Sequence, residues 1–503
     1  MPSRNLNVIL FAIVVGLLCH VVHRRTRTAA IISEAIELID QHYVDEVDPQ
    51  KLIEGAMKGV VGELDQHSSF FAVEQYETFQ DSIHQEFAGI GIYVRQAEEG
   101  KPVRVVTPLV RSPALVAGIM PNDEIIQVDG QDVSQMKLDD VSDRLKGPPG
   151  TTVDIVVRRG EDELPLSVKR ARIELESVVG DHRNEDHDWV YRLREHPEVA
   201  YIRMKSFGEK TVNELESVLV ELDNNFSALV LDLRGNGGGL LYAAGDVCDM
   251  FLSSGDIVST RVRGGRIDEF LKATPGTLVH ENIPMAILVD GNSASASEIV
   301  AACLQDNDRA TVVGMRSFGK GTVQEIIPLE YGKRALRLTI AKYYRPNNEN
   351  IHRGPDATED DQWGVTPDEG FTVPMDLDAL RKLSRAWDVA SYPALEGIDV
   401  PEPETETGEE PIEDAIEAVE LDSMAEKNVA RGPSDLEMDP PLRAAVGHLL
   451  EHESPGESAS EPEPEAVLDA ARPNSNACPT DYAGDHDALS GVSTGRRKSV
   501  CRI

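Results

Sequence analysis

The chain has 503 residues, a formal net charge of −39 and a sequence pI near 4.6. A chain of this length is expected to fold as about two to four domains, because single hydrophobic cores stop growing at smaller sizes. Its acidic balance excludes nucleic acid as the main partner, since phosphate binding requires a basic face. Five cysteines without metal-type spacing indicate neither a disulfide framework nor a zinc site, and no metal or other cofactor is expected.

The N-terminus carries an apolar segment, NVILFAIVVGLLCHVV at residues 7–22, preceded by Arg4. It is short for a bilayer span but long enough for the core of a signal peptide. Residues 1–28 are therefore predicted to be a signal peptide or membrane anchor, and the protein is predicted to be extracytoplasmic, on the periplasmic or cell-envelope side. The arginines at 24, 25 and 27 oppose this orientation, because positive charge tends to stay inside. A buried helix is the other interpretation.

Residues 29–84 are predicted to be helical, with helices in IISEAIELIDQHY and PQKLIEGAMKGVVGEL. Near Phe87 the pattern changes to short strands, predicted in VRVVTPL, DEIIQVDG and TTVDIVVRRG, with helices between them in SPALVAG and LDDVSDRLK. This order of elements, with GIGI leading into the first strand and SPALVAGIMPNDEIIQVDGQDV in the middle, resembles a PDZ domain. The resemblance covers residues 85–172.

The GIGI segment consists of Gly89, Ile90, Gly91 and Ile92. A glycine pair before an edge strand lets backbone N–H groups converge on an anion, and the exposed edge lets an extended peptide add as another strand. The C-terminus of a protein supplies both the carboxylate and the extended backbone. These four residues are the predicted peptide-binding site, and a glycine bulge without a ligand is the other interpretation.

From residue 199 onward strands alternate with helices, starting with VAYIRMKSF, TVNELESVLVELDNN and ALVLDLRGNGGG. The third of these segments opens with a continuously apolar strand, which is typical of a sheet covered on both faces. It ends in a glycine run that lacks the lysine of a phosphate loop. Backbone N–H groups at Gly237, Gly238 and Gly239 could instead hold an oxyanion, because glycine allows close approach. A tight turn without a catalytic role is the other interpretation.

Three serines, Ser293, Ser295 and Ser297, precede an apolar run with helical spacing. Ser295 and Glu298 have the spacing of a capping box, which would make Ser295 a structural helix start. A serine at a strand-to-helix junction is also where the helix N-terminus stabilises an oxyanion, so Ser295 is a candidate nucleophile as well.

A serine nucleophile needs a base, and few residues qualify. Asp306 lies three turns further along the same helix, roughly 16 Å from Ser295 by helix rise, which assigns it to capping or packing. The nearby lysine is Lys320, in RSFGKGTVQ, with Phe318 and Val323 as apolar neighbours compatible with burial. A lysine acts as a base only when its environment keeps it neutral. A solvated loop lysine is the other interpretation.

Two long motifs, GNSASASEIVAACLQDNDRATVVGMRSFGKGTVQ and VLDLRGNGGG, together with the PDZ-like segment, resemble the carboxyl-terminal processing proteases, the S41 serine peptidases with a Ser-Lys pair. The similarity spans residues 29–395. It implies a mixed α/β fold: a ClpP/crotonase-like α/β peptidase core at 173–395, an inserted PDZ-like β-rich domain at 85–172, an N-terminal helical segment at 29–84 and a disordered acidic tail at 396–503.

The resemblance also implies the site and its chemistry. Ser295 is the expected nucleophile, Lys320 its general base and Gln324 the residue that assists the lysine. Backbone N–H groups of Ala296 and of one of the glycines 237–239 are expected to hold the oxyanion of an acyl-enzyme mechanism. Activity is expected to rise as Lys320 deprotonates, without the step near pH 6.5 of a histidine base. The expected substrates are proteins or peptides with free C-termini. A homo-oligomer is an alternative to a monomer that the sequence does not decide.

Residues 401–503 contain 24 Asp and Glu against 8 Lys and Arg, in a composition that buries too little to offset the entropy lost on folding. Most of this tail is predicted to be disordered, with a short helix in DPPLRAAVGHLLEH at 439–452. Two other functional classes remain beside the exported peptidase. One is a catalytically silent PDZ scaffold, which the presence of Ser295, Lys320 and Gln324 disfavours. The other is an adaptor in which the acidic tail is the functional element.

Overall fold

The computed structural model describes residues 30–358, 360–398 and 435–451. The predicted export segment and most of the acidic tail lie outside these ranges. Within them, no helix combines the length and apolarity that crossing a membrane requires. The described residues form two compact units, one drawn from Met1–Tyr76 and Ile326–Thr339, the other from Glu77–Glu325 and Ile340–Ile503.

Helices and strands are numbered here in sequence order, and residues 30–42, which are also helical, carry no label. The helices are α1 Pro49–Gly62, α2 Val73–His84, α3 Pro113–Val116, α4 Leu138–Leu145, α5 Thr211–Leu222, α6 Leu241–Asp249, α7 Ala296–Asp306, α8 Leu377–Ser391 and α9 Pro440–Glu451, with short 3-10 turns at Glu330–Gly332 and Pro393–Leu395. The strands are β1 Ser69–Phe71, β2 Glu86–Gly89, β3 Ile92–Arg95, β4 Val103–Pro108, β5 Glu124–Val128, β6 Gln131–Asp132, β7 Thr152–Arg159, β8 Asp162–Lys169, β9 Ala171–Glu174, β10 Val178–Val179, β11 His182–Arg183, β12 Trp189–Val190, β13 Val199–Met204, β14 Ala228–Asp232, β15 Asp256–Val262, β16 Ile267–Lys272, β17 Met285–Val289, β18 Thr311–Gly314, β19 Thr322–Leu329 and β20 Arg334–Tyr344.

The first unit contains α1, β1 and the start of β20. The helix α1 begins at Pro49, where the missing N–H is tolerated, and Asp48 caps it by accepting the N–H of Gln50 at 2.9 Å. Strand β1 pairs antiparallel with β20, and Phe70 lies opposite Leu336. The helix predicted in PQKLIEGAMKGVVGEL is therefore confirmed.

The strand-rich part of the second unit forms a sheet with the order β3-β4-β5-β7-β8, with β6 beside β5, and β2 pairs separately with β9. All three strands predicted from the sequence are present, and α3 and α4 lie in the two segments predicted as helices. Asp129 and Gly130 link β5 to β6 with positive φ angles of 50° and 77°, as a tight two-residue hairpin turn requires.

The remainder of the second unit is built around a sheet with the order β10-β13-β14-β17-β18, in which β13, β14, β17 and β18 run parallel. Parallel strands need crossover connections, and helices α5, α6 and α7 lie in them. The junction of β14 with α6 carries the glycine run, and the junction of β17 with α7 carries the serines. Because β14 and β17 are parallel neighbours, both junctions lie at the carboxyl ends of the strands, at the same end of the sheet.

Both faces of this sheet are covered, which explains why β14 is apolar at nearly every position. Leu229 and Leu231 belong to the core on the side of α5, α6 and α7. The alternate residues Ala228 and Val230 pack on the other side against α9. The sequence predicted this helix within the acidic tail, and the structure confirms it; its packing against the sheet was not anticipated.

Candidate active site

The three serines at the start of α7 have different hydrogen-bonding environments. The hydroxyl of Ser293 donates to the carbonyl of Leu233 at 2.8 Å, and that of Ser297 donates to the carbonyl of Asn236 at 2.8 Å. Both serines therefore join α7 to the glycine run. Ser295 instead belongs to the capping box of α7, in which its side chain accepts the N–H of Glu298 and the Glu298 carboxylate accepts the N–H of Ser295.

The backbone at Ser295 is strained. Its φ of 55° and ψ of −113° lie in a region that residues with a Cβ rarely adopt. Ser295 occupies the N-cap position of α7, as the capping-box spacing predicted, and it is 4% exposed. The strained turn places the residue at the N-terminus of a buried helix, where free N–H groups favour negative charge.

The carboxylate of Glu298 connects the serine turn with the segment that carries Lys320. One oxygen accepts the N–H of Ser295 at 2.8 Å and the N–H of Lys320 at 2.9 Å. The other accepts the hydroxyl of Ser317 at 2.5 Å and the N–H of Gly319 at 2.7 Å. Burial raises the pKa of Glu298, and these hydrogen bonds oppose that shift. Glu298 therefore fixes the candidate nucleophile and the candidate base to a single buried group.

Tyr343 is a second link between the same two segments. Its hydroxyl lies 3.2 Å from the carbonyl of Ser295 and also donates to the carbonyl of Lys320. Burial, together with the charge of Glu298, raises the pKa of this phenol well above its ordinary value, so Tyr343 acts here as a neutral donor.

The residues around Lys320 differ partly from the sequence expectation. Val323 is buried, whereas Phe318 is 46% exposed and lies in an irregular segment. Gln324, the residue expected to assist Lys320, is fully buried on β19 and donates its amide N–H to Thr322 at 2.9 Å.

The glycine run lies directly against the serine turn. A Cβ added to Gly238 would come within 2.7 Å of the Cβ of Ser295 and 2.9 Å of the nitrogen of Ala296. The run is held by Asn236, whose carbonyl accepts the N–H of Ala294 at 3.0 Å and whose side chain accepts the N–H of Gly238 at 2.9 Å. The structure thus brings together the candidate nucleophile and the candidate oxyanion donors.

A shallow cavity opens beside the candidate nucleophile, and it is too tight to hold a water molecule. It is lined by Gly239, Leu241, Ser295, Ala296, Ile299, Thr322, Val323 and Tyr343. Most of these side chains are apolar. The cavity therefore presents an apolar surface next to Ser295.

Asp306 takes the structural role that its distance from Ser295 predicted. Arg345 binds its two carboxylate oxygens at 2.8 and 2.6 Å, and the N–H of Asn347 adds a weaker contact at 3.2 Å. This bidentate pair fixes the C-terminal end of α7.

The predicted peptide-binding residues occupy the turn between β2 and β3. Gly91 has a φ of 78°, and a Cβ there would lie 2.5 Å from the Cβ of Ser112. Strand β3 pairs with β4 on one side. The N–H of Ala114 donates to the carbonyl of Ile90 at 2.9 Å, which ties the turn to α3.

Sequence reasoning missed Asn236 and Tyr343 as parts of this site and treated Glu298 only as a capping partner. The position of Glu298, directly after the three serines and before the apolar run that starts at Ile299, was the one available signal that its carboxylate would be buried. Among residues 30–358, 360–398 and 435–451, no group of three or more His, Cys, Asp or Glu side chains is arranged to hold a metal ion.

Comparison with known proteins agrees with this geometry. The sequence model of peptidase family S41 matches residues 198–370, that of a PDZ domain matches 104–159, and that of the activating protease CtpB N-terminal domain matches 21–74. A carboxy-terminal-processing protease of Bartonella bacilliformis is 38% identical over 343 residues, which cover 67% of this chain and 73% of that protein. The carboxy-terminal processing protease CtpB of Bacillus subtilis is 34% identical over 328 residues, covering 64% of this chain and 65% of that protein.

Among solved structures, a photosystem II D1 C-terminal processing protease aligns with a TM-score of 0.38 and 26% identity, over 69% of this chain and 92% of that one. The fold and the sequence matches together define a serine-type peptidase with a mixed α/β core and a PDZ domain. The chain belongs to peptidase family S41, the carboxy-terminal processing proteases.

Proposed function

We propose that this protein is an exported serine endopeptidase that recognises protein C-termini through its PDZ domain and cleaves them by a Ser-Lys acyl-enzyme mechanism. The observation that carries the proposal is the shared contact of Glu298, whose one carboxylate oxygen accepts the backbone N–H groups of both Ser295 and Lys320. A structural helix cap would need only the first of these bonds.

The first chemical step is proton transfer. The neutral amine of Lys320 takes the proton of the Ser295 hydroxyl as Oγ attacks the scissile carbonyl carbon, and Gln324 orients the lysine. Lys320 then returns the proton to the leaving amine as the peptide bond breaks. Water hydrolyses the resulting ester, with Lys320 again accepting and returning a proton.

The oxyanion of each tetrahedral intermediate accepts hydrogen bonds from the backbone N–H groups of Ala296 and Gly239. Gly239 is chosen from the three glycines on two grounds. The N–H of Gly238 already donates to Asn236, and Gly239 lines the cavity beside Ser295 while Gly237 does not. The apolar lining of that cavity favours an apolar side chain before the scissile bond.

The substrate's own C-terminus binds the PDZ domain. Its carboxylate accepts N–H groups of the turn formed by Gly89, Ile90, Gly91 and Ile92, and its backbone extends along β3. Such substrates are extracytoplasmic proteins, because the apolar segment at 7–22 directs export and anchors the protein in the membrane. Processing or degradation from the C-terminus is the resulting activity.

The decisive experiment compares the wild type with Ser295→Ala and Lys320→Ala, each without residues 1–28, on an unfolded protein that has an apolar C-terminus. Intact-mass analysis follows the fragments, and circular dichroism checks the fold. Wild-type cleavage should be reduced about 10⁴-fold or more in both variants, because removing either member of a catalytic unit disables it.

The result that contradicts the Ser-Lys mechanism is cleavage by either folded variant at the wild-type rate. A step near pH 6.5 in the rate profile that disappears when one histidine is replaced would also overturn it. Binding of C-terminal peptides without any cleavage by the wild type would favour the catalytically silent scaffold instead.

A further inference from the structure

The helix α9 belongs to the acidic C-terminal region, yet its start is buried in the peptidase core. Asp439, directly before α9, is 0% exposed. Its carboxylate accepts the N–H of Leu442 at 3.0 Å, so Asp439 is the N-cap of this helix. Leu442, Val446 and Leu449 are also buried, against the sheet face that carries Val230.

Asp439 has a second partner outside the helix. Arg234, which is 2% exposed, donates from Nη1 and Nη2 to the two oxygens of Asp439 at 2.8 and 2.7 Å. On its other side the same guanidinium donates to Asp232 at 3.0 Å from Nε and 2.6 Å from Nη2. Arg234 is therefore clamped between two carboxylates in a geometry that a planar guanidinium favours.

A second arginine lies beside this cluster. Arg203 adds a second positive charge, and its guanidinium carbon lies 3.5 Å from the ring centroid of Trp387. The guanidinium carbon of Arg234 lies 5.1 Å from the same centroid. Burial opposes ionisation of Asp232, but Arg234 and the nearby Arg203 hold the pKa of that carboxyl below its ordinary value. Loss of the charge on Asp439 would leave the buried Arg234 with one charged partner, Asp232, in place of two, which is costly.

Arg234 is joined directly to the glycine run. Its own N–H donates to Asp232 at 3.0 Å, and the next N–H, of Gly235, donates to Asp290 at 3.0 Å. The carbonyl of Asn236 then contacts the N–H of Ala294 at 3.0 Å, one residue before Ser295. A shift of Arg234 therefore moves a packed segment with few alternative arrangements.

We propose that Asp439 is a positioning residue for the peptidase reaction: by clamping Arg234 it holds the glycine run in the geometry that binds the oxyanion. A segment 205 residues after Arg234, beyond residues 198–370 of the matched peptidase family, thus completes the site. This inference rests on the proposed function, in which an N–H of the glycine run binds the oxyanion.

The test uses full-length protein carrying Asp439→Asn. Asparagine is also a good N-cap, so α9 keeps its start while Arg234 loses a charged partner. We expect kcat to fall by about 10-fold to 100-fold, as small displacements of catalytic groups do, with KM within about 2-fold. The control is Leu449→Ala, which weakens the packing of the same helix and leaves the Asp439–Arg234 pair in place.

A second measurement does not depend on cleavage. Hydrogen exchange of the peptide spanning 233–240 is followed in full-length Ser295→Ala protein, with and without Asp439→Asn. Faster exchange with Asp439→Asn, but not with Leu449→Ala, supports the positioning role even if the wild type proves inactive and the proposed function fails.

Two results would overturn the inference. One is wild-type kcat and unchanged exchange with Asp439→Asn. The other is an equal fall in kcat for Asp439→Asn and Leu449→Ala at matched loss of thermal stability, which would reduce Asp439 to a general anchor of α9.

Discussion

Two glycine turns in this molecule are proposed to present backbone N–H groups to an anion, and they are built differently. In the PDZ domain, the turn at residues 89–92 is fixed by backbone bonds, such as Leu109 N–H to Gly91 at 3.0 Å, and by close packing on Ser112. In the peptidase core, the run at 235–239 is fixed by buried polar side chains, among them Asn236 and Arg234.

The difference fits the task of each turn. A carboxylate exists before it binds, so a turn that adjusts slightly still binds it. An oxyanion exists only in the transition state, and donors accelerate the reaction only if they are already in place. Buried charged and polar contacts supply that rigidity, because their geometry is costly to break. Changes to the peptidase turn should therefore reduce kcat, and changes to the PDZ turn should weaken binding.

Among changes to the two turns and their supports, the largest effect on cleavage is expected from Gly238→Ala. Gly238 has a φ of 102°, and the new Cβ would lie 2.7 Å from both the carbonyl oxygen of Ala294 and the Cβ of Ser295. We expect kcat to fall at least about 100-fold. The matched control is Gly276→Ala, which has a φ of 106° and no atom within 4 Å, so it introduces backbone strain alone. Equal losses of kcat in both variants would show that backbone strain, and not a collision at the site, causes the effect.

The next effect is expected from Glu298→Gln. The amide has one acceptor oxygen where the carboxylate offers two, so N–H groups of the serine turn and the lysine segment would face an NH₂ group. We expect kcat to fall about 10-fold to 100-fold, with peptide binding to the PDZ domain unchanged. Steady-state kinetics test this beside Glu216→Gln, an exposed position on α5. Full activity of Glu298→Gln would show that the shared contact is dispensable.

A smaller effect, on binding, is expected from Gly91→Ala. The Cβ would collide with Ser112 and displace the turn that receives the C-terminal carboxylate. We expect the Kd for a C-terminal peptide to rise about 10-fold, and KM to rise with little change in kcat. Gly130→Ala is the control, since its φ of 77° nearly equals the 78° of Gly91 and nothing lies within 4 Å. A fall in kcat without a change in Kd would contradict the division of roles.

The smallest effect on cleavage is expected from Asp388→Asn, which should change stability only. Burial raises the pKa of Asp388 to about 6, so the folded state favours its neutral form. The stability that this preference contributes is present at pH values below the pKa of Asp388 in the unfolded chain. It is lost as pH rises through about 6, the pKa of Asp388 in the folded protein. Asp388→Asn should remove that loss and stabilise the fold by about 2 kcal/mol at pH 7, with no gain at pH 4.

Unfolding midpoints in denaturant at pH 4, 5, 6 and 7 measure this difference. Asp378→Asn, at an exposed position of the same helix, is the control. A gain from Asp388→Asn that does not depend on pH would mean that Asp388 is not the group responsible.

Much of the fold could be predicted from the sequence because its signals are local. Strand β14 and helix α7 follow from continuous apolar residues and helical spacing, and the tight turn at Asp129 and Gly130 follows from residue types that accept positive φ. Ser295 was identified from its place in a motif, although its spacing to Glu298 alone predicted no more than a helix cap.

The contacts that complete the site could not be predicted, because they join residues far apart in the sequence. Tyr343 contacts the carbonyl of Ser295 across 48 positions, and Asp439 contacts Arg234 across 205. The pattern of residues 439–452 predicted the helix α9, but nothing in the surrounding acidic composition indicated that it packs on the sheet. Phe318, whose apolar character was compatible with burial, is 46% exposed, because an apolar residue in an irregular segment need not face inward.

The strained backbone of Ser295 also bears on how this protein can be engineered. Its φ of 55° and ψ of −113° suit glycine better than serine, and such strain costs on the order of 1 to 3 kcal/mol. A screen that rewards heat resistance alone would therefore accept glycine at this position and discard the proposed nucleophile. Directed evolution of the protein has to select for turnover and thermal tolerance together.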